Sequence, residues 1–177
     1  MMSVAFFRNL NQGQRGHLGA ADLQHAFAEV GAREVHTFQS NGTVVFEADE
    51  PDAVGQDVHG RLAARGLFDD VVIVRALAFV EDIVDSFTQF DDVQRHELTL
   101  FAGDGAFERT AALPASVTVA ATRRRCAVVA HGPGWALVRN DRDGQSNGTP
   151  TIEAAVGSRA TSRGLPTLLR LVKRFSR

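Results

Sequence analysis

Three short stretches carry side chains able to grip an anion. In VAFFRNLNQGQRG an apolar run stops at Arg8, Asn9, Asn11 and Gly13. A guanidinium at a strand end can hold a phosphate or carboxylate through two parallel hydrogen bonds, and nearby amides add directional donors. In HTFQSNGTVVFEA a second apolar run stops at Ser40, Asn41 and Gly42. Thr161 and Arg163 stand just ahead of a helix expected to start near Gly164, and a helix N-terminus beside an arginine also suits an anion. Each stretch has a plainer use. Arg8 can pair with a local acid while the asparagines hold turns. Ser40-Asn41-Gly42 alone is a hairpin turn, and Thr161 or Ser162 can cap the helix. Residue by residue the plainer uses weigh more. Only a shared location lifts the first two stretches above them.

Other chemistries find no constellation. The six histidines are scattered, without helical ligand spacing or a cysteine partner, so no metal site is expected. NDRDGQSNGTP resembles a calcium loop at Asp141, Asp143 and Gly144. Arg139 and Pro150 stand where its first and last acids belong, so that reading fails. There is no phosphate loop, nucleophile elbow or dinucleotide fingerprint. The single cysteine, Cys126, excludes an intramolecular disulfide and reads as a buried strand residue beside AVVA. No nucleophile–base pair can be named and no cofactor is expected; an enzyme is left open, and the reading leans against one.

The elements that would position these residues follow from periodicity. Ser3 to Arg8 is an apolar strand, and Ala20–Val30 sets Leu23, Phe27 and Val30 on one helical face. VHTFQS and TVVFEA flank Asn41-Gly42, whose residue types suit a two-residue type I′ hairpin turn with positive φ at both positions. After Pro51 a second helix stripes Val54, Val58, Leu62 and Ala63, and VVIVRAL is a buried-type strand. The order is β-α-β-β-α-β, a ferredoxin-like unit. In such a unit strand one ends where strands two and three are joined, which puts Arg8 and Asn41 about 10 Å apart. Asp69 and Asp70, before strand four, belong to the same end.

The second half reads less regularly. VEDIVDSFTQF is a short helix or linker, and HELTLFA is a strand ending at a Gly103-Asp104-Gly105 turn. AFERTAALPA is taken as helical up to Pro114, SVTVAAT and RCAVVAHG as strands around Arg123-Arg124-Arg125, and GWALVRN as their hairpin extension. TIEAAVG is a short helix, and the last helix sets Leu165, Leu168, Leu169, Val172 and Phe175 against Arg170, Lys173, Arg174 and Arg177. The pattern suggests a second, degenerate copy of the first unit. The expected fold is therefore α+β: one unit over residues 1–78, a connection over 79–94, and a second unit over 95–177.

Composition narrows the partners. With 177 residues, 44% apolar and 23% charged, the chain has ordinary globular proportions. A net charge of -2 gives no reason to expect a polyanion. Neither a signal peptide nor a membrane span is read, and the single cysteine suits a reducing cytoplasm.

The residues Arg8, Asn11, Gly13, Leu23, Gly31, Val35, Thr37, Gly42, Val44, Val45 and Phe46 carry a resemblance. In this spacing the opening segment resembles the bacterial domain of unknown function 1697 family. The family's closing motif is similar to Ala160-Thr161-Ser162-Arg163 before a final helix. Asn9, Ser40-Asn41, Thr43 and Gly164-Leu165-Pro166 depart from the family's pattern. The resemblance implies two ferredoxin-like units and no activity. The function expected is binding of a small anionic ligand at Arg8, Asn9, Asn11, Gly13, Ser40, Asn41 and Gly42, with Thr161 and Arg163 as further candidates. Two alternatives stand beside it: a nucleic-acid module using the basic last helix and Arg123 to Arg125, and a homodimer or interaction module joined through a sheet edge. Monomer and homodimer are both left open.

Overall fold

The computed structural model describes residues 1–12, 18–87, 89–102 and 112–176. Two units divide it, one built on Met1–Asp82 and the other on Ile83–Phe175. In the first, β1 (Met2–Phe7), α1 (Ala20–Glu29), β2 (Arg33–Phe38), β3 (Thr43–Glu47), α2 (Pro51–Ala64) and β4 (Val72–Ala76) follow in order. Their antiparallel sheet has the order β2-β3-β1-β4.

Strand alternation decides what meets the helices. Ala5, Phe7, Val44, Phe46 and Val74 share a buried cluster with Leu23, Ala26 and Phe27 of α1 and with Val58 and Leu62 of α2. Phe27 meets Phe7 edge-on at 6.2 Å and Phe46 at 4.9 Å between centroids. At Gly55 of α2 a Cβ would lie 2.5 Å from Cγ2 of Val74, so only glycine lets the helix come this close to β4. Pro51 opens α2, and Gly66, left-handed at φ 65°, follows its C-cap. Arg65 bonds both oxygens of Glu29 (3.1 and 3.0 Å), which ties α2 to α1 and lowers the Glu29 carboxyl below its usual range.

Ser3 is an exception inside this unit. It is 0% exposed, and its hydroxyl has no hydrogen-bond partner among the described residues. An orphaned buried hydroxyl opposes folding, so Ser3→Ala is expected to leave stability unchanged or raise it by up to about 1 kcal/mol. Urea unfolding would check this; a loss above that size would mean that the hydroxyl is satisfied.

The second unit repeats the plan. α3 (Leu77–Phe87) starts directly after β4, and a short 3-10 turn (Val93–Arg95) leads into β5 (His96–Phe101). Then come α4 (Ala115–Arg123), β6 (Cys126–Gly132), β7 (Trp135–Asn140), α5 (Gly148–Val156), β8 (Ala160–Gly164) and α6 (Leu165–Phe175). The strand order is β6-β7-β5-β8, the first sheet's order with β5 in the place of β1. Equivalent details recur. Phe7 N–H donates to Gly42 O (2.8 Å) and Phe101 N–H to Gly134 O (3.0 Å). Arg75 donates to the carbonyl of Val74 and Arg163 to that of Ser162, both at 2.8 Å. The two-unit α+β architecture expected from the sequence is the one present.

Four local expectations are corrected. SVTVAAT is the body of α4, with Val117, Ala120 and Ala121 buried at helical spacing; its β-branched residues mimic a strand. Arg123 therefore ends a helix, Arg124 is its C-cap, and Arg125 turns left-handed at φ 56°. Thr161 and Ser162 lie on strand β8, not at a cap. The β2–β3 connection has four residues, Gln39 to Gly42, left-handed at Gln39 (φ 55°) and Gly42 (φ 67°) and not at Asn41, so it is no two-residue type I′ turn. In α6 the buried stripe is Leu165, Leu168 and Leu171, with Leu169, Val172 and Phe175 only partly covered. The Gly103 turn and the start of AFERTAALPA fall outside the described residues. Among the described residues no helix is long and apolar enough to cross a membrane.

Candidate functional site

The chain leaves β1 between two neighbours. Phe7 bonds to Gly42 of the β2–β3 loop, the next residue, Arg8, donates its N–H to Val71 O (2.9 Å), and Gln12 N–H donates to Ser40 O (2.7 Å). The two polar loops expected about 10 Å apart are thus joined by backbone hydrogen bonds. Gly42 makes this possible: a Cβ there would lie 2.9 Å from the Cβ atoms of both Phe7 and Leu10, at a left-handed φ of 67°. Beside it the Asn41 side-chain oxygen accepts from the Thr43 hydroxyl at 2.8 Å. Leu10 is buried below the loop, and Asn9, Asn11 and Ser40 are exposed.

Asp70 organises the cluster. One of its oxygens accepts from Arg8 (2.6 Å) and from the Asn9 amide (3.1 Å), and the other from Val71 N–H (2.7 Å). The side chains of Arg8 and Asp70 are 18% and 16% exposed, so the pair sits at the surface with both partners held. Asn9 takes a left-handed φ of 55°, which asparagine tolerates better than most residues, and this turns its amide towards Asp70. Arg8, Asn9, Ser40, Asn41 and Gly42 are therefore one locality, and Gly13 lies outside the described residues. Sequence reading placed Asp69 and Asp70 at this end without singling out Asp70 as the hub. Its partner Arg8 lies some sixty positions earlier, beyond any local pattern.

A shallow cavity of about 230 Å³ lies at the C-terminal end of α2, lined by Ala63, Gly66, Leu67, Phe68 and Asp69. The Phe68 ring meets that of Phe7, the residue before Arg8, edge-on at 5.2 Å. The cavity therefore belongs to the same end of the sheet.

Thr161 and Arg163 stand in the second unit, on β8. Arg163 is 8% exposed and donates to the Thr161 hydroxyl at 2.9 Å; burial pulls its guanidinium down to a pKa of about 10. Ser162, on the opposite face of the strand, shares hydrogen bonds of 2.8 Å with Thr99 and Thr149.

The second unit also holds a polar network that sequence reading missed. Glu97 is 4% exposed. Its carboxylate accepts from Gly148 N–H (2.7 Å) at the start of α5, from the Asn140 amide (3.0 Å) and from the Ser146 hydroxyl (2.6 Å). Asn140 in turn accepts from Asn147 N–H (3.1 Å). The carboxylate satisfies the Gly148 N–H at the helix N-terminus, which makes it an internal cap for α5. The signal was a lone acid inside the apolar run HELTLF. Cys126 is buried, as expected; burial raises its thiol pKa, and its sulfur lies 3.3 Å from the Thr151 hydroxyl.

A family model described as "Protein of unknown function (DUF1697)" matches residues 1–133, a span that takes in Arg8, Asn41 and Asp70 and stops before Thr161. No curated protein matches the chain. Among solved structures, one described as that of a conserved bacterial protein from Streptococcus pneumoniae is similar with a TM-score of 0.65. The likeness covers 97% of each chain at 13% identity, and it concerns the fold alone.

Proposed function

Since the chain belongs to the DUF1697 family of proteins of unknown function, we propose from its own residues that it binds a small anionic ligand where β1 ends. The reading rests on one observation, the Gln12–Ser40 backbone bond, which joins the two polar loops beside Arg8. Arg8 supplies the charge, and Asn9 and Asn11 supply directional hydrogen bonds. Ser40 and Asn41 form the opposite rim, and Gly42 allows close backbone approach. Asp70 holds the guanidinium in place, which reduces the ordering that a ligand must impose. Thr161 and Arg163 stand in the second unit and take no part in this reading.

A thermal-shift screen of the full chain tests it, with orthophosphate, small carboxylates, nucleotides and short oligonucleotides as probes and Arg8→Ala alongside. One anion class is expected to stabilise the protein saturably, by about 2.7 kcal/mol at a hundred times its Kd, and to lose that effect in Arg8→Ala. A panel that shifts neither protein, or both equally, refutes the site. A shift by oligonucleotides alone, abolished by salt, would move the function to the exposed cations Arg170, Lys173 and Arg174 of α6.

A further inference from the structure

The charges around Arg8 do not suit a bare anion. Among the described residues Arg8 is the cation of the cluster, but Asp70 is bonded to it and Asp69 stands on the cavity wall. Asp69 is exposed and carries neither hydrogen bond nor ion pair among the described residues. The cavity also sits at the carboxyl end of the fourteen-residue helix α2, where the helix dipole is negative. Arg65, the nearest cation along the chain, is spent on Glu29. A polyanion placed here meets one arginine already paired, a free carboxylate and a negative helix end. A molecule with a carboxylate at one end and an ammonium group at the other meets a partner for each.

We infer that the ligand is a zwitterion of amino-acid type, with its carboxylate on Arg8, its ammonium group at Asp69 and the end of α2, and its apolar part against Leu67 and Phe68. This deepens the anion-binding reading and rests on it. Size agrees: 230 Å³ is the share of about seven or eight water molecules in the liquid, enough for a small amino acid. The wall agrees as well, since Ala63, Leu67 and Phe68 are apolar and Leu67 is left 48% exposed.

Isothermal titration of the full chain separates the two readings. The probes are the standard amino acids and, for leucine, two truncated relatives: isocaproate, which lacks the ammonium group, and isoamylamine, which lacks the carboxylate. Leucine or another small amino acid is expected to bind saturably, with its ammonium-free counterpart about tenfold weaker. Asp69→Asn, an isosteric change at an exposed position, should remove that preference and leave the carboxylate's affinity unchanged. Arg8→Ala should lose leucine and isocaproate alike. If wild type binds isocaproate as tightly as leucine, or Asp69→Asn keeps the preference, the zwitterion inference falls while Arg8-dependent carboxylate binding keeps the anion reading. If no amino acid and no carboxylate binds, the zwitterion inference falls, and orthophosphate in the same titration decides the anion reading: Arg8-dependent binding keeps it, and no binding ends it.

Discussion

Gly42→Ala is expected to destabilise the first unit by about 3 kcal/mol and to abolish the ligand binding proposed at Arg8 together with it. Two costs combine. A side chain at the left-handed φ of 67° costs roughly 1–2 kcal/mol. The added Cβ would also stand 2.9 Å from the Cβ atoms of Phe7 and Leu10 and 3.2 Å from the Leu10 carbonyl oxygen. Those are atoms on or next to the backbone, and forcing them apart adds about 1–3 kcal/mol. Any shift that relieves the clash moves Phe7 and so displaces Arg8 from Asp70. Gly31→Ala is the control, because Gly31 is also left-handed (φ 85°) but has nothing within 4 Å of the new atom. Urea unfolding of the two variants isolates the packing cost. Equal losses in the two would refute the account of Gly42.

Glu97→Ala is expected to cost more, about 4 kcal/mol, without touching the first unit's cluster. Removing the carboxylate orphans the buried Gly148 N–H at about 1–3 kcal/mol and leaves the buried Asn140 amide only its bond to the Arg95 carbonyl (3.3 Å). The truncation also opens a void beneath α5 that adds to the cost. The Ser146 hydroxyl, on an exposed residue, can turn to water and adds little. Glu97→Gln keeps the shape and one acceptor oxygen, and its new amide can donate to Ser146. It should lose only about 1–2 kcal/mol. If Gln is as damaging as Ala in urea unfolding, the negative charge on the α5 N-terminus outweighs the hydrogen bonds.

The first unit was readable because its signals are local. Apolar runs gave β1, β3 and β4, the spacing of Leu23 and Phe27 and of Val58 and Leu62 gave the helices, and chain order then put Arg8 and Asn41 at one end. The second unit hides its plan. In α4 the β-branched Val117, Thr118 and Val119 read as a strand, and only burial at Val117, Ala120 and Ala121 makes the segment helical. Strand β8, Ala160–Gly164, has no apolar alternation; it is a strand because it pairs with β5 from Glu97 to Phe101. The limit is clearest in Gln-Ser-Asn-Gly-Thr, which occurs twice, at 39–43 and 145–149. The first copy is a hairpin loop whose glycine is left-handed under Leu10. The second leads into α5, and its glycine gives its N–H to Glu97 and leaves no room for a Cβ, which would fall 2.2 Å from the Thr99 hydroxyl oxygen. Five identical residues take two structures because their partners lie some thirty to fifty positions away. Separations of 62 and 43 positions likewise hid Asp70 from Arg8 and Glu97 from Asn140.

The sheet order also sets a clock for the newborn chain. In each unit the strand that leaves the ribosome first is a central one, and one of its neighbours is the last to be made. Ser3 pairs with Ala76, and Glu97 with Gly164, so each central strand waits through about seventy residues of synthesis. At roughly 5–20 residues per second that is about four to fourteen seconds, far longer than a hairpin needs to close. During that interval the apolar Val4–Phe7 and Leu98–Phe101 segments have one side without a partner strand. Nascent-chain holding factors would meet each unit at that stage, before its fourth strand closes the sheet.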